Sequence, residues 1–88
     1  MSAVAVILPA SVLTSHLESC AAELAGALPP DDLARVVGQL VSGQRHIAEA
    51  LASLATLQTG PLAEVLAAAS RAAAHAADAL AEGEHLFE

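Results

Sequence analysis

The sequence contains no lysine, and its only basic side chains other than histidine are three arginines, at positions 35, 45 and 71. Ten acidic residues outnumber them, which gives a formal net charge of −7 at pH 7. Nucleic acids and anionic membranes are both bound through Lys and Arg side chains that neutralise phosphate groups. We therefore predict that the chain binds neither of them, and that any other protein partner presents a basic surface.

Aromatic residues are nearly absent as well, because Phe87 is the only one in 88 residues. Alanine occupies 23 positions, and a buried alanine side chain removes little area from water. A chain of this length is also near the lower limit at which one domain folds alone. The core must come from Leu, Val, Ile and Ala, and we predict that dimerisation adds to it.

Cysteine occurs once, at Cys20, which excludes an internal disulfide and a cysteine metal cluster. We expect Cys20 to be a small core residue in a reducing, cytoplasmic location. No basic residue precedes the apolar stretch 3–8 and Pro9 interrupts it, unlike a secretory signal peptide. No apolar run reaches the roughly 18–20 residues of a membrane span. The alanine-rich, lysine-free composition predicts an origin in a GC-rich bacterial genome.

Proline and glycine divide the chain into an arm and three helices. The predicted segments are an extended arm over 1–9 and helices over 10–27, 31–58 and 61–82, with Gly83 as a cap. Pro30 and Pro61 suit the first turn of a helix, and Asp31 and Asp32 favour its positive end. The predicted fold is therefore all-α: a single domain over 10–88, with a long antiparallel hairpin of helices two and three and a shorter helix one.

Large apolar residues recur at alternating steps of four and three, the spacing of packed helices in a bundle. Helix two carries the longest stripe, and helices one and three carry shorter ones. The predicted stripes are Leu13, Leu17, Cys20 and Leu24; Leu33, Val37, Leu40, Gln44, Ile47, Leu51, Leu54 and Gln58; and Leu62, Leu66, Ala69, Ala73, Ala76 and Leu80, with Phe87 in register.

Helix two has further apolar residues on both flanks of its stripe, more than one neighbouring helix can cover. Gly43 would allow another backbone to come near, and Gln44 either reaches solvent or fixes the register of an oligomer. We predict a homodimer whose interface is centred on this helix. Its candidate residues are Leu33, Val36, Val37, Leu40, Val41, Gly43, Gln44, Ile47, Leu51 and Leu54.

The polar side of the helices offers two pairs that resemble metal ligands in their spacing. His46 precedes Glu49 by three residues, and His75 precedes Asp78 by the same step. Both pairs fall opposite the stripes, where a solvated face is the simpler interpretation, and Arg45 is expected to pair with Glu49 four residues on. We predict no catalytic residue, no cofactor and no metal.

The functional hypothesis is a small acidic module that binds proteins as an adaptor or regulatory partner, without catalysis. A secreted helical hairpin of the type VII secretion class is a second hypothesis, because length and alanine content are compatible. At the turn, however, Thr59, Gly60 and Pro61 stand where that class has Trp-x-Gly. The sequence is also compatible with an antitoxin-like regulator and with a metal-binding bundle that uses the two His–acid pairs.

Overall fold

A computed structural model describes residues 9–27, 29 and 31–87. The elements found there are three α-helices and a short 3₁₀ helix: α1 (Ala10–Ala25), α2 (Leu33–Thr56), α3 (Gly60–Gly83) and the 3₁₀ helix Glu84–Phe87. No strand occurs within this described part of the chain, so the predicted all-α class is confirmed. The predicted strand-like arm over 3–8, the placement of Pro30 and the side chain of Phe87 lie outside the described residues.

The chain divides into two compact units, Met1–Pro30 and Asp31–Glu88. In the first unit, α1 begins after Pro9, whose carbonyl accepts the N–H groups of Val12 and Leu13 at 3.0 and 3.2 Å. No residue of α1 is buried, and Cys20 is exposed. Nothing within its own unit covers Cys20, so the prediction that it is a core residue depends on the packing of this helix against another surface. The predicted packing of helix one within a bundle stays a prediction.

The second unit starts with a side-chain cap. Asp32 accepts the backbone N–H of Arg35 at 3.3 Å, which satisfies one of the free donors in the first turn of α2. The helix begins at Leu33, two residues later than predicted, because the cap residue itself lies outside the helical backbone. At the other end α2 stops at Thr56, and the N–H of Leu57 bonds to the carbonyl of Leu54 at 3.1 Å.

The turn between α2 and α3 depends on Gly60. Its φ of 71° lies in the left-handed region, which side chains disfavour, and it follows the extended backbone of Thr59. Pro61 then occupies the first turn of α3, as predicted. Gly83 does not form the predicted left-handed cap. Among the described glycines only Gly60 has a positive φ, and the chain after Gly83 continues into the 3₁₀ helix.

Helices α2 and α3 form an antiparallel hairpin, as their paired contacts show. Gly38 of α2 approaches Glu84, the guanidinium of Arg45 meets Asp78, and the carbonyl of Ala48 accepts the hydroxyl of Ser70. As the residue number rises along α2, that of the partner falls from 84 to 78 to 70. Each helix has 24 residues, so the hairpin is about 36 Å long.

Small side chains occupy the centre of the hairpin. Among the described residues the buried ones are Val41, Ala48 and Ala77, and Ala77 has no exposed surface at all. The hydroxyl of Ser70 donates to the Ala48 carbonyl at 2.7 Å, across the two helices. Alanine and serine at these positions let the two backbones approach closely, which leaves no room for a larger residue.

Replacing Ala77 with leucine tests this close approach. We expect Ala77→Leu to lower the free energy of unfolding by about 1–3 kcal/mol, because a larger side chain at a fully buried site forces the helices apart. Ala68→Leu makes the same change at an exposed position of α3 and should shift stability by less than about 0.5 kcal/mol. Urea titration followed by circular dichroism measures both, and equal stabilities would contradict the tight contact at Ala77.

Candidate interaction surface

Helix α2 carries two apolar rows rather than one. The inner row contains the buried and half-buried residues that pack towards α3: Val37, Val41, Gln44, Ala48, Leu51 and Ala55. The outer row follows steps of three and four along the neighbouring side: Leu33, Val36, Leu40, Gly43, Ile47, Ala50, Leu54 and Leu57. Leu33, Leu54 and Leu57 in this row remain 47%, 44% and 76% exposed. Val36, Gly43 and Ile47 in the same row are half-buried, so the hairpin covers the outer row of α2 only in part and leaves its two ends exposed.

Helix α3 repeats this arrangement. Its inner row is Ala63, Ala67, Ser70, Ala74, Ala77 and Ala81, and its outer row is Leu62, Val65, Ala69, Ala72, Ala76 and Ala79. Leu62 and Val65 are 53% and 63% exposed. The predicted stripe of helix three omits Ala77 and includes the exposed Leu62, whereas its other members in α3 are half-buried: Leu66, Ala69, Ala73, Ala76 and Leu80. The most buried residue of the contact is the small Ala77.

Both outer rows lie on the same face of the hairpin. In each helix, viewed from its N-terminus, the outer row is rotated in the same direction from the inner row, by about 100° in α2 and about 150° in α3 at 3.5 residues per turn. For two antiparallel neighbours, rotations in the same direction lead to the same side. We call the surface made by the two outer rows the apolar face.

The opposite side of the hairpin is polar. Arg45 donates to Asp78 at 3.0 Å and joins α2 to α3 there, with both side chains about half exposed. His46 lies beside Glu49, with 3.3 Å between Nδ1 and Oε1. The predicted Arg45–Glu49 pair is wrong. The guanidinium of Arg45 pairs with Asp78 of the neighbouring helix, and Glu49 contacts the imidazole of His46. Exposed Ser42 and Arg71 continue this polar side.

The ten predicted interface residues are divided between the two rows of α2. Four of them belong to the inner row, where the hairpin already uses them: Val37, Val41, Gln44 and Leu51. The other six belong to the outer row: Leu33, Val36, Leu40, Gly43, Ile47 and Leu54. Leu57 and Val65 were missed as members of the apolar face. The seven-residue recurrence of Val36, Gly43, Ala50 and Leu57 is the signal that would have identified a second row.

The His–acid pairs do not converge on one point. Asp78 holds Arg45, so the predicted His75–Asp78 pair has its carboxylate engaged in an ion pair with another helix. A shallow groove of about 630 Å³ runs along α3 past His75, Asp78 and Glu82. Within the described part of the chain, no group of three His, Cys, Asp or Glu side chains is placed to hold a metal ion.

Helix α1 has an apolar surface of its own. Val12, Leu13, Leu17 and Leu24 are each about half exposed. With His16 and Cys20, the first three of them line a groove of about 410 Å³ along one side of the helix. This surface belongs to the first unit.

Comparison with known proteins adds no functional assignment. No protein-family model, curated protein or solved structure matches the chain. Among the described helices, none is both long enough and apolar enough to span a membrane. The apolar face therefore has to be interpreted from its own geometry.

The ion pair across the polar side can be tested by a double-mutant cycle. We expect Arg45→Ala and Asp78→Ala to show a coupling energy of about 0.2–1 kcal/mol that decreases with added salt, because the pair is half exposed. The matched cycle with Arg45→Ala and Glu49→Ala should show no coupling. Urea unfolding at low and high ionic strength gives both values, and a coupling to Glu49 instead of Asp78 would contradict the observed pairing.

Proposed function

We propose that the protein is a small acidic protein–protein interaction module that acts as a homodimer and has no catalytic activity. The observation that supports this proposal is the apolar face, on which both helices of the hairpin expose large side chains along one side. Isolated exposed apolar residues are normal on a protein surface, but a contiguous apolar patch rimmed by polar residues is typical of an interaction site. The polar side of the hairpin provides that contrast.

The dimensions of the apolar face suit a dimer interface. Two helices about 36 Å long, with axes about 10 Å apart, present an outline on the order of 700 Å². Stable protein interfaces bury about 800 Å² on each partner. A second copy offers a surface of the same size and the same apolar character. We propose that this association completes the helical bundle that the sequence predicts.

In this proposal the polar side stays available to a second protein. Its arginines are few, and Arg45 is already paired with Asp78. With a net charge of −7 and no lysine, the remaining surface attracts a partner with a basic contact patch. The protein would act in the cytoplasm as an adaptor or regulatory partner, with specificity set by charge and affinity by the dimeric scaffold.

A secreted helical hairpin of the type VII class is the second candidate. The observation that favours it is the hairpin itself, with two helices of 24 residues joined by a short turn. The residues of that turn, Thr59, Gly60 and Pro61, differ from the Trp-x-Gly of the class. Recovery of the protein from culture medium of the native cell would favour this candidate over a cytoplasmic adaptor.

Substitutions on the two sides of the hairpin test the homodimer. We expect Leu40→Asp and Leu54→Asp, in the outer row of α2, to weaken dimerisation by at least about 100-fold, because an unpaired carboxylate would be buried among apolar side chains. Ser42→Asp and Ser53→Asp introduce the same charge on the polar side and should leave the dimer intact. Light scattering at micromolar concentration measures the mass of each variant.

A monomeric wild type in this experiment would show that the homodimer is wrong. If the wild type is a dimer and all four variants remain dimeric and folded, the interface lies elsewhere, and the apolar face is then not the dimer contact. Circular dichroism of each variant controls for unfolding.

A further inference from the structure

We propose that α2 of one copy packs antiparallel on α2 of the second copy, with the two-fold axis level with Arg45, so that Gly43 receives Ile47 of the second copy. This proposal rests on the proposed homodimer and specifies its geometry. It follows from the order of large and small residues in the outer row of α2 and from the empty space beside Gly43.

Two-fold symmetry allows few ways to bring the apolar faces together. An axis perpendicular to the helices stacks α2 on α2 and α3 on α3, whereas an axis parallel to the helices stacks α2 on α3 of the second copy. In both arrangements the stacked helices are antiparallel. The choice between them therefore depends on which side chains face one another.

The outer row of α2 is symmetric in its spacing about position 45. In the first arrangement, residues at equal distances from that position face each other across the interface. Gly43 then faces Ile47, and Leu40 faces Ala50. Towards the ends, Val36 faces Leu54 and Leu33 faces Leu57. Each of the two small residues of the row is thereby matched with a large one, as close packing requires.

The second arrangement matches these residues poorly. Because Ala48 is level with Ser70 in the hairpin, Gly43 would face Ala72 and Ala76 of the second copy. Ala50 would face Ala69, with Val65 beside it. Small residues would then meet small residues at the middle of the interface, and the resulting voids forfeit contact energy.

The structure shows that the hairpin itself does not need a glycine at position 43. Apart from the neighbouring backbone of its own helix, a Cβ atom built on Gly43 has no heavy atom within 4 Å, whereas one built on Gly38 lies 3.6 Å from the Oε2 atom of Glu84. Gly43 lies in the interior of α2, where glycine is the least favourable residue other than proline. In this proposal a glycine occurs at position 43 of the outer row because it leaves space for a side chain of the second copy.

Exchanging the sizes of the two facing residues tests the geometry. We expect Gly43→Leu and Ile47→Ala each to raise the dissociation constant of the dimer by at least about tenfold, through overpacking and a cavity respectively. The double variant restores complementary sizes and should return to within about threefold of the wild type. Sedimentation equilibrium gives the constants, and circular dichroism should show that Gly43→Leu keeps its helices, because the space around it is open.

Cysteine pairing provides a second readout that does not alter the centre of the interface. In a Cys20→Ala background, Val36→Cys and Leu54→Cys should form a disulfide only when the two variants are mixed. Each alone would place its thiols about 27 Å apart, far beyond disulfide reach. With Ser42→Cys in place of Val36→Cys, a polar-side position, no disulfide with Leu54→Cys should form.

These experiments separate failure of the geometry from failure of the homodimer. If the wild type is dimeric, three results would overturn the antiparallel α2 pairing. They are additive losses of dimer affinity in the double variant, a tighter dimer from Gly43→Leu, and the absence of a disulfide in the mixture. A wild type that sediments as a monomer would overturn the homodimer and this geometry together.

Discussion

The close contact between α2 and α3 is the constraint on which the rest of the hairpin depends. Ala77 is completely buried, Ala48 and Val41 are nearly so, and the hydroxyl of Ser70 bonds to the carbonyl of Ala48 at 2.7 Å. Small side chains at these positions allow the helices to approach, and the interhelical hydrogen bond sets their register. Because alanine buries little area, this contact uses few of the large apolar residues in the chain.

Several large apolar residues are left outside this contact, although Leu51, Leu66 and Leu80 are half-buried in the hairpin. Leu33, Leu54 and Leu57 on α2 and Leu62 and Val65 on α3 remain substantially exposed, all on one side of the hairpin. The opposite side carries the Arg45–Asp78 pair and the His46–Glu49 contact, both of which are solvent accessible. Because the two helices pack through small residues and expose large ones, the hairpin leaves an apolar surface in contact with water. Association with a second apolar surface is the physical response that we propose.

The sequence was sufficient for the fold class and for the approximate limits of the helices. Periodicity, Asp32 at the start of α2 and the glycine–proline turn at Gly60 and Pro61 act locally, so each could be recognised without knowledge of the rest of the chain. Of the ten predicted interface residues, Val37, Val41, Gln44 and Leu51 are covered by the hairpin, and the interface itself stays a prediction. The single stripe predicted for helix two combines residues of two rows that the structure separates.

What the sequence determined by itself, then, is local: three helices, their breaks, an acidic surface and an excess of apolar residues on α2. The tertiary structure decided which apolar residues form the contact and which remain exposed, and it paired Arg45 with Asp78 rather than with Glu49. The reason is that periodicity defines a direction around one helix but not the rotation of that helix against its neighbour. That rotation is set by how closely two particular surfaces can approach, and here alanine approaches more closely than leucine.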